Sequence, residues 1–220
     1  MRRRINTDCV VRVDGGRGFI VVHRVKVHTD LRGRKLVSVS EHRLVVTAAH
    51  CLPRLPWTHS PMSYIDGTYR DLLGSLNGNE TNVSAECLFA DPVADIAVLG
   101  CPDQQMLYEE ASAYDSLTEG VSFLPIGKPK SGLGWVLSLD GRWIRSRLEL
   151  FSGLPGVSLS IDPTEAGMSG SPILNDIGQA IGVVSIGAEI IGASGERKNQ
   201  RSGPQPILTR NLPGWLLSEV

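Results

Sequence analysis

A serine lies between two glycines in the stretch Gly167-Met168-Ser169-Gly170-Ser171-Pro172. Glycine permits a sharp turn and a close backbone approach, because it carries no Cβ atom. A serine on such a turn projects its hydroxyl outward, and the turn amides can point together into a pocket for a developing oxyanion. The stretch therefore indicates a candidate serine nucleophile, with an ordinary loop serine as the alternative.

A nucleophilic serine needs a general base and an acid that orients the base. The base is offered by Thr47-Ala48-Ala49-His50-Cys51, which follows a strand-like run and ends near Pro53. Small residues and a nearby proline predict a short helical turn that places His50 at a strand end. The acid is offered by Asp95-Ile96-Ala97-Val98-Leu99, where a carboxylate leads an apolar run. Asp91 and Ser171 remain alternatives to Asp95 and Ser169.

The elements that must position these residues are mostly β-strands. The 220 residues include 24 Gly and 13 Pro, and the apolar residues occur in short runs, which is typical of many strands joined by turns. Asp140-Gly141 predicts a hairpin, and residues 121–126 predict a further strand. Residues 212–217 predict a short terminal helix or turn. Residues 100–119 are polar and acidic and predict a connection, which divides the chain into domains 1–112 and 113–220.

Charge and cysteine content exclude several classes of protein. Lys plus Arg is 22 and Asp plus Glu is 23, which argues against a dedicated nucleic-acid binder. No apolar run is long enough to span a bilayer. Met1-Arg2-Arg3-Arg4 is not followed by an apolar segment, so we expect no export signal and a cytoplasmic location. No Cys-x-x-Cys pair exists, and we expect no metal or other cofactor and four reduced thiols, namely Cys9, Cys51, Cys87 and Cys101.

The three stretches follow one another in the order His, Asp, Ser on a β-rich chain. In this they resemble the chymotrypsin-like (trypsin-fold) serine peptidases, and most of all the bacterial branch with the glutamyl endopeptidases and HtrA peptidase domains. Residues 15–22 and 182–187 extend the resemblance over nearly the whole chain. It implies an all-β fold of two six-stranded antiparallel β-barrels, the first carrying His50 and Asp95 and the second carrying Ser169.

The resemblance also implies a role for each residue. Ser169 would attack a peptide carbonyl, His50 would take its proton, and Asp95 would orient the imidazole. The amides of Gly167 and Ser169 would form the oxyanion hole. An extended substrate backbone would pair with three consecutive residues, namely Ser185, Ile186 and Gly187. The implied function is a serine endopeptidase that acts on proteins or peptides through an acyl-enzyme. The alternative is a peptidase-fold peptide-binding protein without catalysis.

The sequence departs from the family pattern at several positions. Met168 stands where zymogen-activated members carry an aspartate, so we expect no trypsinogen-type activation. Pro163, in the predicted substrate pocket, argues against cleavage after Lys or Arg. Thr164 fits the glutamyl endopeptidases, but their substrate-binding histidine is missing near Val184. The cysteine that pairs with Cys51 in secreted members has no counterpart in the region around residue 35, so we expect no family disulfide.

Overall fold

β-strands dominate the computed structural model, which describes residues 6–31, 34–56, 67–151, 156–159, 165–185, 190–191, 197–198 and 205–217. The first six strands close into one antiparallel barrel in the order β1-β2-β3-β6-β5-β4. Their bounds are β1 Val10–Val13, β2 Gly16–Leu31, β3 Arg34–Thr47, β4 Thr68–Ser75, β5 Val83–Asp91 and β6 Ile96–Gly100. All five residues of β6 are buried, as its apolar sequence predicts.

The β2–β3 pair sets the geometry at one end of this barrel. Its ladder runs from Gly18 paired with Thr47 to Leu31 paired with Arg34. The start of β2 and the end of β3 therefore lie side by side. A 3-10 helix, Ala49–Cys51, follows β3 directly and confirms the predicted helical turn. His50 thus leaves the barrel beside the first residues of β2.

A second antiparallel sheet has five strands in the order β11-β10-β7-β8-β9. Its edge strands β9 and β11 are joined through residues 205–207, because Val157 bridges Gln205 and Gly182 bridges Ile207. The sheet thereby returns on itself. The strands are β7 Gly132–Leu137, β8 Trp143–Leu150, β9 Val157–Leu159, β10 Pro172–Asn175 and β11 Ala180–Val183, and a separate ladder joins β12 Ile190–Ile191 to β13 Arg197–Lys198.

The predicted hairpin at Asp140-Gly141 joins β7 and β8, and Gly141 has a φ of +79°. The predicted strand at 121–126 is wrong. In that segment Leu124 N donates to Ile20 O of the first barrel, and Pro125 O accepts from Ala180 N of the second sheet. Pro125 has no N–H to donate, so the segment links the two sheets through single contacts, including one isolated bridge between Ile126 and Ala180, and forms no continuous strand.

Three α-helices with bounds inside the described ranges lie outside the sheets: α1 Tyr108–Thr118, α2 Leu208–Asn211 and α3 Gly214–Leu217. The last of these confirms the predicted short C-terminal helix. Helix α1 lies within residues 100–119, where the sequence predicted only a connection. It is held by Tyr114, a buried residue whose hydroxyl donates to Leu99 O and Arg43 O at 3.3 and 3.0 Å. None of the helices among the described residues is long and apolar enough to cross a membrane.

The buried apolar side chains join the two sheets. One cluster runs from Phe19 and Val45 in the first barrel to Leu137 and Leu174 in the second sheet. Full burial of a Val, Leu or Phe side chain contributes roughly 1.5–3 kcal/mol to the free energy of folding. The first barrel ends at Gly100 and the second sheet begins at Gly132, while the domain boundary between residues 112 and 113 stays a prediction. The predicted all-β class, a trypsin-like double barrel with a short terminal helix, is confirmed, but among the described residues the second sheet has five strands and not the six predicted.

Candidate active site

His50 is held by its neighbours so that its ring extends toward solvent. Ala49 and Cys51 on either side are buried, whereas the His50 side chain is 40% exposed. Its Nδ1 lies 2.7 Å from Oδ2 of Asp95. A carboxylate accepts hydrogen bonds only, so this contact requires the proton of a neutral ring to be on Nδ1. Nε2 has no hydrogen-bond partner among the described residues and keeps a free lone pair.

Asp95 lies in the turn directly before β6 and has an unusual backbone conformation, with a φ of +56°. Aspartate tolerates this left-handed region better than most residues. The carboxylate accepts from the backbone N of His50 at 2.9 Å, from His50 Nδ1, and from the hydroxyl of Ser185. The Asp95 side chain is 13% exposed, and three donors from the protein surround its carboxylate. By contrast, Asp91 accepts from the amides of Val93 and Ala94 and caps the turn that follows it.

The turn around Ser169 is tied to the first barrel and to the end of β11. Ser169 O accepts from Arg17 N, and Gly170 N donates to Val184 O, both at 2.7 Å. Gly170 has a φ of +81°, and a Cβ placed on it would lie 1.7 Å from Arg17 O. No other residue fits at this position without moving the backbone. The second glycine of the motif is thus explained by a close approach between two chain segments.

Two amides of this turn have no hydrogen-bond partner among the residues that the structure describes. Met168 N donates to Glu165 O and Ser171 N donates to Met168 O, but Gly167 N and Ser169 N donate to nothing within the described part of the chain. Gly167 has a φ of +93°, which only glycine adopts readily. Unpaired amides are uncommon near the protein interior. These are the two amides that the sequence predicted for an oxyanion hole.

Met168 takes part in the packing of the second sheet. It is buried in an apolar cluster with Val136, Leu148 and Ile173, and its sulfur accepts from Glu165 N at 3.4 Å. The turn is therefore held from below by apolar contacts, and no ion pair at this position is needed. Ser171 is fully buried at 0% exposure, and its hydroxyl has no partner, so it is poorly placed to meet a substrate.

Three residues have contacts at the site that sequence reasoning did not find. Ser185, predicted only to pair with a substrate backbone, donates its hydroxyl to Asp95 and its amide to Oε1 of Gln205. Gln205 is fully buried. Arg17 donates its backbone amide to the Ser169 turn. The other predicted substrate contacts, namely Pro163, Thr164, Ile186 and Gly187, lie outside the described residues.

All four cysteines are free thiols in the structure. Burial raises the pKa of Cys51 to about 11. Its sulfur faces Gly16, where an added Cβ would lie 2.5 Å away. No hydrogen bond joins His50 Nε2 to Ser169 Oγ among the described residues.

The family is shown by a sequence match. Residues 36–183, more than half of the chain, match the family model described as trypsin-like peptidase domain. The protein belongs to this family, which confirms the predicted resemblance to trypsin-fold serine peptidases. It is a peptidase domain, whose substrates are proteins or peptides. No curated protein sequence matches the chain significantly.

Solved structures with a similar fold include two inactive forms of the Rv3671c protease. The first has 17% sequence identity and a TM-score of 0.49, and the alignment covers 96% of this chain and 88% of the Rv3671c chain. The second is a serine-to-alanine mutant from M. tuberculosis H37Rv with 16% identity and a TM-score of 0.49, covering 96% of this chain and 86% of its own. Similarity at this level supports no transfer of residue roles.

Proposed function

We propose that the protein is a serine endopeptidase with Ser169 as nucleophile, His50 as general base and Asp95 as the acid that orients the base. The observation that carries this proposal is the hydrogen bond from His50 Nδ1 to Asp95 at 2.7 Å, which leaves Nε2 free to accept a proton. The unpaired amides of Gly167 and Ser169 support it. A binding protein without catalysis has no need for either feature.

The chemistry follows from these groups. Ser169 Oγ attacks the carbonyl carbon of the scissile peptide bond while its proton passes to His50 Nε2. The carbonyl oxygen gains a negative charge and accepts hydrogen bonds from Gly167 N and Ser169 N. His50 then gives the proton to the leaving amine, and an acyl-enzyme remains. Water, deprotonated by His50, attacks the acyl carbon and releases the acid product together with Ser169.

The bond between His50 Nε2 and Ser169 Oγ forms, in this proposal, when substrate occupies the site. Catalytic hydrogen bonds are often long in ligand-free enzymes and shorten in the substrate complex. The turn is held by Met168 packing and by backbone bonds to Arg17 and Val184, so no cleavage of the chain is required to order it. We therefore propose that the protein is active without trypsinogen-type activation.

A fluorophosphonate probe tests the proposal without knowledge of the substrate. Ser169 Oγ forms a bond to phosphorus, fluoride leaves, and His50 takes the hydroxyl proton. We expect wild type to be labelled, Ser169→Ala not to be labelled, and Ser171→Ala to be labelled if it folds. Melting temperatures establish that each variant is folded. Folded wild type that does not react would favour the non-catalytic peptide-binding alternative, and labelled Ser169→Ala would show that another nucleophile acts.

A further inference from the structure

Arg17 is a buried cation with an unusual set of partners. It is 6% exposed, and its guanidinium donates to the carbonyls of Leu137, Ser138 and Leu139 at 3.3, 2.9 and 2.9 Å. No carboxylate forms an ion pair with it within the ranges that the structure describes. Burial lowers the pKa of Arg17, Arg12 lowers it further, and Asp140 opposes both effects. Buried arginines are usually paired with an acid, so this residue calls for another explanation.

The backbone of the same residue is bound to the Ser169 turn. Arg17 N donates to Ser169 O at 2.7 Å, and Arg17 O accepts from the hydroxyl of Thr47, also at 2.7 Å. The space between Arg17 O and Gly170 is too small for a single extra carbon atom. The position of residue 17 relative to the turn is therefore fixed on both sides.

The carbonyls that receive the guanidinium belong to the end of β7 and the hairpin turn that follows it. Leu139, in this hairpin turn, also packs against the Ser169 turn. Its Cδ2 atom lies 3.4 Å from the position that a Cβ atom on Gly167 would occupy. The hairpin segment held by Arg17 thus packs on the residue whose amide is unpaired. One residue is connected to both ends of the turn, to Ser169 through its backbone and to Gly167 through its side chain and Leu139.

We propose that Arg17 is a positioning residue that holds the β7–β8 hairpin against Gly167 while its own backbone holds Ser169, so that both oxyanion amides keep their direction. This inference rests on the function proposed above. Arginine suits the role because its planar group carries five donors in a fixed arrangement and reaches three carbonyls at once. Lysine offers a single nitrogen and can replace only part of these contacts.

The test compares Arg17→Met and Arg17→Lys with the matched control Arg12→Met. Arg12 is the register partner of Arg17 across β1 and β2, and its guanidinium donates to Gly78 O at 2.8 Å, far in sequence from the turn. The readout is the rate constant of fluorophosphonate labelling, since the phosphonyl oxygen occupies the oxyanion hole. We expect about a hundredfold slower labelling in Arg17→Met, since a small misplacement of catalytic groups has effects of this size. Arg17→Lys should be intermediate and Arg12→Met should stay within about twofold of wild type.

Amide hydrogen exchange provides a second readout that does not depend on activity. We expect faster exchange in residues 138–142 and in the Ser169 turn of folded Arg17→Met or Arg17→Lys than in Arg12→Met. If Arg17→Met does not fold, Arg17→Lys carries both measurements. Equal labelling rates, or equal exchange, in the Arg17 and Arg12 variants would overturn the inference. Wild type that does not label would overturn the proposed function instead, and exchange would still decide whether Arg17 orders the turn.

Discussion

Asp95 accepts three hydrogen bonds, from His50 N, His50 Nδ1 and Ser185 Oγ, whereas the amides of Gly167 and Ser169 donate none within the described residues. Asp95, Gly167 and Ser169 are all half-buried, and polar groups that are withdrawn from solvent are normally paired. The Asp95 carboxylate is fully paired, whereas the Ser169 turn has two unpaired amides within the described residues, at positions 167 and 169 on either side of the paired amide of Met168.

This difference in hydrogen bonding agrees with the roles proposed for the Asp95 carboxylate and for the two amides. A carboxylate that orients a base must stay ionised and fixed through the reaction, so donors from the protein suit it. Donors for an oxyanion must be fixed but unoccupied, because their acceptor is the oxygen of the substrate. In the proposed function, the hydrogen bonds of the Asp95 region are therefore complete before substrate binds, and those of the turn are complete only afterwards. Changes in the two regions should have different consequences.

The largest effect is expected for Asp95→Asn. Asparagine tolerates the left-handed backbone, so the fold should be kept. Its amide group donates to His50 Nδ1, which moves the ring proton to Nε2 and removes the base. We expect kcat, or the labelling rate, to fall about 10⁴-fold with an unchanged melting temperature.

Asp91→Asn is the matched control, because Asp91 caps a turn and does not contact His50. Its rate should stay close to that of wild type. If Asp95→Asn lost less than about tenfold, the complete set of bonds on Asp95 would have no catalytic purpose.

Gly170→Ala should disrupt the Ser169 turn, because the added Cβ atom would force the backbone to move. The added Cβ would lie 1.7 Å from Arg17 O and 2.6 Å from Thr47 Oγ1, at a φ of +81°. We expect a loss of more than about 3 kcal/mol in the free energy of unfolding, measured in urea, and no labelling.

Gly178→Ala separates the contribution of φ from that of the contact. Gly178 has a φ of +85° but nothing within 4 Å of its Cβ position. This variant should lose only about 1–2 kcal/mol and remain active. Equal losses in both variants would mean that the close approach to Arg17 is not what requires glycine.

Ser185→Ala removes one of the three bonds on Asp95 and leaves the two from His50. A hydrogen bond to a charged group contributes about 1.5–3 kcal/mol, only part of which affects the transition state. We expect kcat/KM to fall about tenfold, measured on a peptide library. Ser122→Ala, which breaks a serine–aspartate contact with Asp8 at the surface, should have no effect. A larger loss than for Asp95→Asn would reverse the proposed order of importance.

The smallest effect is expected for thiol modification. Burial raises the pKa of Cys51 from 9.0 to about 11. At pH 8 the thiolate fraction of Cys51 is therefore about a hundredfold smaller than that of an exposed cysteine. Iodoacetamide at pH 8 should therefore leave labelling by fluorophosphonate unchanged, although Cys51 lies behind the Ser169 turn. All four thiols should react after denaturation. Rapid loss of activity in the native state would show that this side of the turn opens to solvent.

Local sequence signals predicted those parts of the site that short segments create. His50 follows a strand and small residues, Asp95 begins an apolar strand, and Ser169 lies between glycines, so each could be located from its neighbours alone. The hairpin at Asp140-Gly141 was predictable for the same reason. Helix α1 was not, because its acidic and polar residues show little amphipathic pattern, and its position depends on the buried Tyr114.

Contacts between distant segments could not be predicted. Arg17 binds backbone carbonyls of residues 137–139. Every residue has a backbone carbonyl, so the amino-acid sequence does not indicate which carbonyls Arg17 binds. Gln205 and Ser185 are likewise joined through a backbone amide. The left-handed φ of Asp95 has no signal either, since aspartate is common in ordinary turns. Short sequence motifs therefore locate the proposed reacting groups, whereas the contacts that hold those groups are visible only in the structure.

The closure of the second sheet by residues 205–207 affects the moment at which a newly made chain becomes active. The ribosome makes Ser169 before Gln205, whose side chain holds the amide of Ser185, which in turn holds Asp95. A nascent chain that lacks this last segment has an open sheet edge at β9 and β11 and an incompletely supported carboxylate. We expect it to be inert as a peptidase, so that neighbouring proteins in synthesis are not cut by a half-made enzyme.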